Sequence, residues 1–429
     1  MAGYLRTLAR AIFARKASLT PETMRALMQG HEVGDRVGRS YASLAKGGFE
    51  QNVCVYRALT EIARGGASVP LDVYVNGEKQ KDHPLAKLLR KPNPRQSRPV
   101  FMEEALSYFQ LDGNQFFYAI DAEPGGEPLA LQNLRPDRVE VKNEGAALVF
   151  VYIPNADGTG TRTWKVFPDD VTPAILQVKT FNPMDKSRGL SPLIPGRSAI
   201  DRHNLADEWN AQSIRNGAVP PGVFLVDRGK EGDASLTDPE REALKVMLDE
   251  IASGPKNARR PIVLEGGLKY QSTGWSPVEM DWSGGKAAAA RDAVNALGFP
   301  PMLLGIPGDN TFSNQREARL ALWENTILPL LGSVVEEIAQ WLGPRYSGQI
   351  EIRPNLDQVP ALALRRERVW DRVKGSDWLT INEMRAETGL DERPEPEADQ
   401  ILTSFSRIPL GAVSVSQQPV DVEPDPEGL

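Results

Sequence analysis

Histidine, cysteine and carboxylate side chains are the first residues in this sequence that could support metal, thiol or acid–base chemistry. His203 and Asp207 lie four residues apart, so on a helix both would face one side and could share a metal ion. Without a third ligand, this pair predicts no metal site. The single cysteine, Cys54, excludes an intramolecular disulfide and a cysteine-based metal cluster. Its neighbours Val53 and Val55 predict a small buried residue and not a nucleophile.

The sequence contains only partial matches to phosphate-binding and catalytic motifs. Gly285-Lys286 is the nearest match to a phosphate loop, but Met280 replaces its first glycine and Ala287 its Ser or Thr. Gly158-Thr159-Gly160 is better explained by a hairpin turn than by a dinucleotide fingerprint. Adjacent carboxylates point in different directions on a helix and are expected to be solvated, namely Glu103-Glu104, Asp169-Asp170 and Glu336-Glu337. The sequence therefore predicts no enzymatic activity and no cofactor.

A cluster of basic residues follows the turn at Gly254-Pro255. It consists of Lys256, Arg259 and Arg260, with Lys269 further along the chain. Two interpretations stay open: a solvated surface loop, or a contact with a phosphate backbone or an acidic partner. The net charge of −7 argues against a dedicated high-affinity nucleic-acid binder. It is compatible with a protein that DNA passes without sticking, because phosphate affinity grows with the number of Lys and Arg contacts.

The composition is that of a core-forming protein. The chain has 429 residues, of which 41% are hydrophobic and 25% charged, and this length suits roughly two to four domains. No apolar run approaches the ~20 residues of a membrane span. The segment Met1–Lys16 lacks the continuous apolar core of a secretory signal and predicts a short amphipathic helix that docks on a partner or on the body. One cysteine fits a reducing, cytoplasmic setting.

The elements that position these residues begin with an α+β domain with a mostly antiparallel sheet over residues 49–190. Helices are predicted over 51–64, where Gly65-Gly66 ends the helix, and over 83–90 and 97–111. Strand-like runs cover 69–75, 115–121, 139–142, 148–153, 163–167 and 175–181. The glycine-rich stretch 30–48 before this domain is expected to be irregular.

Two longer helices are predicted beyond residue 190. The first covers 191–216, about 26 residues, and would be about 40 Å long. The second covers 283–297 and contains the alanine run Ala287–Ala290. These alanines either permit close approach to another helix or reflect helix propensity alone. Between the two helices, strand and turn signals surround one capping-box pattern that starts at Thr237.

The most informative stretch runs from Leu297 to Leu342. Gly298 and Pro300-Pro301 stop a helix, and Gly308–Asn314 predicts a loop with Phe312 at its centre. From Gln315, apolar residues return every three to four positions, as on one face of an amphipathic helix. Pro329 removes a hydrogen bond and clashes with the preceding turn, at a cost of ~3 kcal/mol, so we expect a kink there. A helix, a loop and a long kinked helix indicate a mechanical element.

Short motifs follow one another in a fixed order through residues 50–390. The first half contains Val53-Cys54-Val55-Tyr56-Arg57, Val69-Pro70-Leu71, His83-Pro84-Leu85, Leu88-Leu89-Arg90-Lys91-Pro92-Asn93 and Asp112-Gly113-Asn114. The second half contains Gly189-Leu190-Ser191-Pro192-Leu193, Asn216-Gly217-Ala218, Pro221-Gly222-Val223, Val263-Leu264-Glu265-Gly266-Gly267, Phe299-Pro300-Pro301, Leu304-Gly305, Ser313-Asn314 and Leu328-Pro329. In this order the chain resembles the HK97-type portal proteins of tailed phages, including those of gene transfer agents.

The resemblance implies an α+β portal fold with a defined plan along the chain. Residues 49–190 would be the wing, 191–217 and 281–299 two stem helices, and 218–280 a clip inserted between them. Residues 300–314 would carry a tunnel loop, 315–360 the kinked helix with a return to the wing, and 361–405 a short helical crown. The segment 1–48 has no matching part, and 406–429 predicts a disordered acidic tail.

The same resemblance implies a non-enzymatic conduit. Such proteins form rings, usually of twelve copies, at one capsid vertex of a phage or phage-like particle, assembled in the host cytoplasm. The implied partners are the major capsid protein, the large terminase, a head–tail adaptor and double-stranded DNA, without a membrane. Twelve copies with a net charge of −7 each would carry about −84, which is consistent with an acidic channel that DNA passes without binding tightly. The proposed channel residues are Asp309, Asn310, Thr311, Phe312, Ser313 and Asn314.

Two other classes of function remain as alternatives at this point. A phage-associated DNA-processing enzyme would need a metal cluster or an intact phosphate loop. A capsid scaffold without a channel would need no long helix pair around an insertion. Phe312 likewise has two interpretations, since it either lines a channel or packs against a neighbouring helix.

Overall fold

The computed structural model describes residues 37–215, 222–226, 268–272, 282–306, 312–376, 378–388 and 393–401, together with four helical positions between 239 and 246. Helices and strands both occur in these ranges, and each strand pairing in them is antiparallel. The expected mixture of helix and sheet is therefore present. No helix in these ranges is both long enough and apolar enough to cross a bilayer.

Residues 41–48 of the glycine-rich stretch are helical, which corrects the prediction of an irregular segment for this part of it. An α-helical turn at Tyr41–Ser43 continues as a π-helix at Leu44–Glu50. Leu44 is buried in the same apolar cluster as Leu193 and Ile200, so packing outweighs the low helix propensity of Gly47 and Gly48. The boundary placed after residue 48 falls inside this π-helix. Residues 1–36 lie outside the described ranges.

Helix α1 spans Val53–Ser68, and the Asn52 side chain caps it by accepting from the backbone N–H groups of Cys54 and Val55. The helix runs through Gly65-Gly66, which the sequence was expected to use as a stop. A Cβ at Gly65 would lie 2.7 Å from Ile327 Cδ1, and one at Gly66 would lie 2.6 Å from Leu106 Cδ1. The two glycines therefore permit close packing against neighbouring helices instead of ending this one.

A hairpin and two helices follow α1. Strands β1 (Leu71–Val75) and β2 (Glu78–Lys79) are joined at Asn76-Gly77, whose φ angles of 52° and 86° match the predicted Asn-Gly turn. Helix α2 spans Pro84–Arg90, with the His83 side chain as its cap. Helix α3 spans Arg98–Asp112 and ends at Gly113, which has a φ of 77°.

Six further strands form two three-stranded sheets. They are β3 (Asn114–Asp121), β4 (Pro128–Leu134), β5 (Val139–Glu144), β6 (Ala147–Tyr152), β7 (Arg162–Val166) and β8 (Ile175–Lys179). The strand orders are β4-β3-β8 and β5-β6-β7. The sequence prediction omitted β4, which begins at Pro128 and carries Gln132 and Asn133 near its end. Asn133 is nonetheless buried, because its amide donates to the carbonyl of Phe101 at 2.9 Å.

The next elements are a long helix, a hairpin and a second helix. Helix α4 spans Leu193–Arg215. Strands β9 (Gly222–Val226) and β10 (Leu268–Ser272) pair with each other. Helix α5 spans Trp282–Asn295. The described parts of residues 218–280 therefore lie in sequence between two helices, as the sequence predicted.

The C-terminal third returns to the first sheet. After a 3₁₀ turn at Pro301–Leu304, helix α6 (Phe312–Leu322), a π-helical segment (Trp323–Ile327) and helix α7 (Leu328–Leu342) follow. Strand β11 (Ile350–Pro354) pairs with β1, which gives the order β11-β1-β2. Helices α8 (Ala363–Lys374) and α9 (Ile381–Glu387) come last, and Thr380 with Glu383 forms a capping box on α9.

Two large apolar cores meet along α1. One lies between α1, α3, α7 and β1, and it contains Leu106, Phe117 and Trp341. The other lies between α1, α4, α5 and α6, and it contains Leu59, Ile200 and Phe299. Because both cores use side chains of α1, this helix joins the sheets to the two helices that flank the β9–β10 hairpin.

Candidate functional site

Helices α4 and α5 pack side by side and run antiparallel. The contacts show this order: Gly196 faces Ala296 near one end, Arg202 pairs with Asp292 at 3.0 Å, and Asp207 pairs with Lys286 towards the other end. A Cβ at Gly196 would lie 2.9 Å from the Cβ of Ala296. Ala289 and Ala290 of the alanine run are buried as well. The close-approach interpretation of these alanines is therefore the one that the structure favours.

The antiparallel arrangement fixes where the β9–β10 hairpin leaves the helix pair. The 23 residues of α4 are about 34 Å long. The hairpin segment departs where α4 ends, at Arg215, and the chain returns where α5 begins, at Trp282. Both of these points are at the same end of the pair, so the pair acts as a rod that carries an insertion at its tip.

The basic cluster predicted for this insertion is only partly described. Lys256, Arg259 and Arg260 lie outside the described residues. Lys269 belongs to β10 and stands opposite Leu225 of β9 in the antiparallel register. The structure thus gives Lys269 a place in the hairpin, and the clustering of the four basic residues stays a prediction.

The predicted tunnel loop is shorter at its C-terminal side than the sequence suggested. The 3₁₀ turn Pro301–Leu304 ends at Gly305, which has a φ of 77°. Helix α6 begins at Phe312, so Phe312, Ser313 and Asn314 form its first turn and not the end of a loop. Ser and Asn are favourable near a helix start, because their side chains can accept from unpaired backbone N–H groups. Asp309, Asn310 and Thr311 lie outside the described residues.

Pro329 lies in the first turn of α7, immediately after the π-helical segment Trp323–Ile327. The backbone keeps helical angles at Leu322 and Leu328, so α6, the π segment and α7 continue into one another. Sequence reasoning expected Pro329 to produce a kink and missed the π segment. Pro329 and the π segment are physically connected. Pro329 cannot donate a hydrogen bond to the preceding turn, and the π-helical turn rearranges the carbonyl groups of that turn.

His203 is buried where α4 faces the start of α1. Its side chain is 3% exposed, and its Nδ1 lies 3.2 Å from the Asn52 amide and 3.6 Å from Asp207 Oδ2. Cys54 Sγ lies 3.8 Å from His203 Nε2 and is half-buried instead of fully buried as the sequence suggested. Burial lowers the pKa of His203 and raises the pKa of Cys54, so both are neutral near pH 7. A neutral thiol beside a neutral imidazole is a poor nucleophile.

Metal binding has no support among the described residues, where no three His, Cys, Asp or Glu side chains could hold one ion. His203 and Asp207 are close, as their spacing predicted, but Lys286 also pairs with Asp207. The ammonium group takes the place that a cation would occupy. This cluster therefore acts as a polar contact between α1, α4 and α5.

A buried arginine joins the end of α7 to the sheets. The Arg345 guanidinium pairs with Asp121 at 2.7 Å and donates to the backbone carbonyls of Gly126, Thr172 and Pro173. The two side chains are 0% and 8% exposed. Nothing in the sequence pattern singled out Arg345, because its partners, at the end of β3 and in two loops, are about 170 to 220 residues away.

Comparison with known proteins identifies relatives over most of the chain. The profile of one family, described as phage portal protein, matches residues 54–389. A protein of Rickettsia bellii strain RML369-C is 35% identical over 344 residues, which cover 80% of this chain and 87% of that protein. The probable portal protein of Streptomyces phage phiC31 is 21% identical over 386 residues, which cover 85% of this chain and 79% of the phage protein.

Two solved structures are similar to the chain over most of its length. A chain in the neck of a native gene transfer agent particle, computed with C12 symmetry, matches with a TM-score of 0.62 and 34% identity, over 86% of this chain and 99% of that chain. An HK97-family phage portal protein from Corynebacterium diphtheriae matches with a TM-score of 0.53 and 13% identity, over 76% of this chain and 100% of that chain. The second match concerns the fold alone.

Proposed function

Since the chain belongs to the phage portal protein family, we propose that it forms a ring at the unique vertex of a capsid, through which double-stranded DNA is packaged and later ejected. The observation that carries this proposal is the likeness to a chain of a twelvefold-symmetric particle neck at 34% identity. That likeness supports a ring of twelve copies in a virion or phage-like particle, and we propose that the ring assembles in the host cytoplasm.

In this proposal the antiparallel pair α4/α5 is the stem, and the chain between 218 and 280 is the clip. Two observations support the assignment: the pair is rod-like, and the insertion leaves and returns at one end of it. A hairpin at the tip of a stiff rod is accessible to other proteins. We assign to it the docking of the large terminase during packaging and of a head–tail adaptor afterwards.

The remaining parts have corresponding roles. The sheets formed by β1–β8 and β11 are the wing, which contacts the major capsid protein, and helices α8 and α9 are the crown. The segment 305–314, which ends in the first turn of α6, projects into the channel. DNA passes without sequence-specific contacts, because a ring built from chains with a net charge of −7 repels the phosphate backbone.

The test of this proposal is the assembly state of the protein, in isolation and inside particles. Native mass spectrometry of purified protein, followed by negative-stain imaging, is expected to give a closed ring of about twelve copies with a central hole. Particles that carry the protein are expected to show the ring at one vertex. Particles that package DNA without a ring containing this chain would overturn the proposal.

The channel assignment has a separate test. Phe312→Ala is expected to leave ring assembly intact and to reduce DNA translocation or retention in particles. Phe181→Ala is a matched control, because Phe181 is an exposed phenylalanine between β8 and α4. Equal DNA retention in both variants and in the wild type would reject Phe312 as a channel residue while leaving the ring itself untouched.

A further inference from the structure

An acidic chain carries one strongly basic surface segment between β2 and the start of α3. Residues 78–98 contain seven lysines and arginines but only two carboxylates, Glu78 and Asp82, which gives a net charge of +5. The chain as a whole has a net charge of −7. Such a segment concentrates a positive field on one part of the molecule.

Part of this segment forms a concave site. Lys79, Lys81, Arg90 and Arg98 line a cavity of about 150 Å³ between the β1–β2 hairpin and helices α2 and α3. Asp72 also lines the cavity, but its carboxylate already accepts from Lys79 and, at 2.9 Å, from the Asn355 amide. The remaining cations therefore exceed the negative charge available to them.

The excess of positive over negative charge in the cavity is clearest at Arg98. Its guanidinium is half-buried in the cavity wall, and burial lowers the pKa of Arg98 while the charge of Asp72 acts in the opposite direction. Among the described residues, no hydrogen bond or ion pair reaches this guanidinium. A partly desolvated cation with five N–H donors and no acceptor gains free energy when an anion occupies the cavity. Guanidinium groups are well matched to phosphate oxygens.

Further exposed cations lie in the same segment of the chain. Lys87 and Arg90 lie three residues apart on α2 and so face the same side, and Lys91 and Arg95 follow them in the chain. An extended row of cations suits a polyanion better than a single small ion. Lysine is depleted in the cores of protein–protein interfaces, so a lysine-rich row favours a nucleic-acid backbone over a protein surface.

We propose that the cavity lined by Lys81, Arg90 and Arg98, together with the adjacent row Lys87, Lys91 and Arg95, binds the phosphate backbone of double-stranded DNA. This site lies on the sheet-bearing part of the molecule and is distinct from the proposed channel segment. It goes beyond the conduit function, because it is a further place, outside the proposed channel segment, at which the chain would hold DNA. It does not require a ring, so its test is independent of the assembly test.

The experiment measures binding of the full-length protein to a fluorescent duplex of ~30 base pairs by anisotropy, between 50 and 200 mM salt. The test variant is Lys81→Gln/Arg90→Gln/Arg98→Gln. Lys142→Gln/Arg162→Gln/Lys165→Gln removes the same charge from strands β5 and β7 and is the matched control. Each lost phosphate contact lowers the salt slope by about 0.9, so we expect the slope to fall by about 2 to 3 in the test variant only.

Two additional arms make the result decisive. Lys81→Gln/Arg90→Gln leaves the half-buried Arg98 in place, and it should still lower the slope by about 2 if the triple variant folds poorly. A poly-glutamate peptide in place of the duplex tests an acidic protein as the partner. Equal salt slopes in the test and control variants, or tighter binding of poly-glutamate than of the duplex, would overturn the proposal.

Discussion

The sheet region, formed by β1–β8 and β11, and the helix pair α4/α5 are held together in opposite ways. In the sheet region, the fully buried Arg345 binds Asp121 and three backbone carbonyls, and the Trp341 indole donates to the carbonyl of Pro173. In the helix pair, small residues at Gly196 and Ala296 bring the backbones together, and the Arg202–Asp292 ion pair is on the surface.

The two kinds of contact differ in how strongly they restrict the geometry of each region. A buried charge with several directional partners has one satisfactory geometry, since any shift leaves polar groups without partners. Close packing of small side chains has less directional preference, and exposed ion pairs are weak. We therefore expect the sheet region to hold a defined angle to α7, and the contact between α4 and α5 to be less directional.

The largest expected effect comes from breaking the buried contact of the sheet region. Arg345→Leu leaves the Asp121 carboxylate buried without its cation, and such a change costs about 3–5 kcal/mol in the free energy of unfolding. Urea unfolding followed by circular dichroism measures this loss. Arg353→Leu is the control, because Arg353 pairs with Glu351 on the surface and should matter little.

A second variant separates lost charge pairing from lost packing. Arg345→Leu/Asp121→Leu removes both charges, so it should recover a large part of the stability that Arg345→Leu loses. Equal losses in the single and double variants would show that the carbonyl contacts of Arg345, and not its pairing with Asp121, hold the sheets to α7.

The next largest loss of stability is expected from a substitution that disturbs the close packing of α4 against α5. Gly196→Val places a branched side chain where the Cβ of Ala296 is only 2.9 Å away, so overpacking should cost about 1–3 kcal/mol. Gly285→Val is a control within the same pair, because nothing lies within 4 Å of a Cβ at Gly285. A thermal melt of both variants gives the comparison, and similar melting temperatures would mean that the pair is not closely packed at Gly196.

The sequence predicted the features that depend on local patterns. Helices α4 and α5, the Asn76-Gly77 turn and the end of α3 at Gly113 follow from periodicity and from the conformational freedom of glycine. The prediction that Gly65-Gly66 ends the helix was wrong. The two glycines lack side chains because neighbouring helices pack closely there, and not because the chain turns. Local rules cannot distinguish these two uses of glycine.

The parts that depend on distant contacts could not be predicted. Strand β4 contains Asn133, whose burial is possible because its amide donates to the carbonyl of Phe101 and to Glu104, and accepts from Gln115. Arg345 depends on loops that are remote in sequence. The basic surface around Arg98 had a local signal, a net charge of +5 in 21 residues. The cavity itself forms only when β1, β2, α2 and α3 meet, so charge alone would not have revealed it.

A pH effect is expected where the two regions meet, at His203 beside Asn52 of the α1 cap. Burial lowers the pKa of His203, with Asp207 acting against this and Lys286 acting with it. The unfolded chain therefore takes up a proton near pH 6.5 that the folded protein does not, and stability falls as the pH drops below that value. Unfolding between pH 7.5 and 5 should show a smaller pH dependence in His203→Gln than in the wild type.

The smallest effect is expected from the surface ion pair of α4 and α5. Arg202 and Asp292 are 62% and 58% exposed, so Arg202→Ala should change the free energy of unfolding by less than about 1 kcal/mol. A double-mutant cycle with Asp292→Ala, measured by urea unfolding, isolates the interaction between the two side chains. A coupling near the loss caused by Arg345→Leu would mean that directional charge pairing also fixes the helix pair, and the contrast between the two regions would then fail.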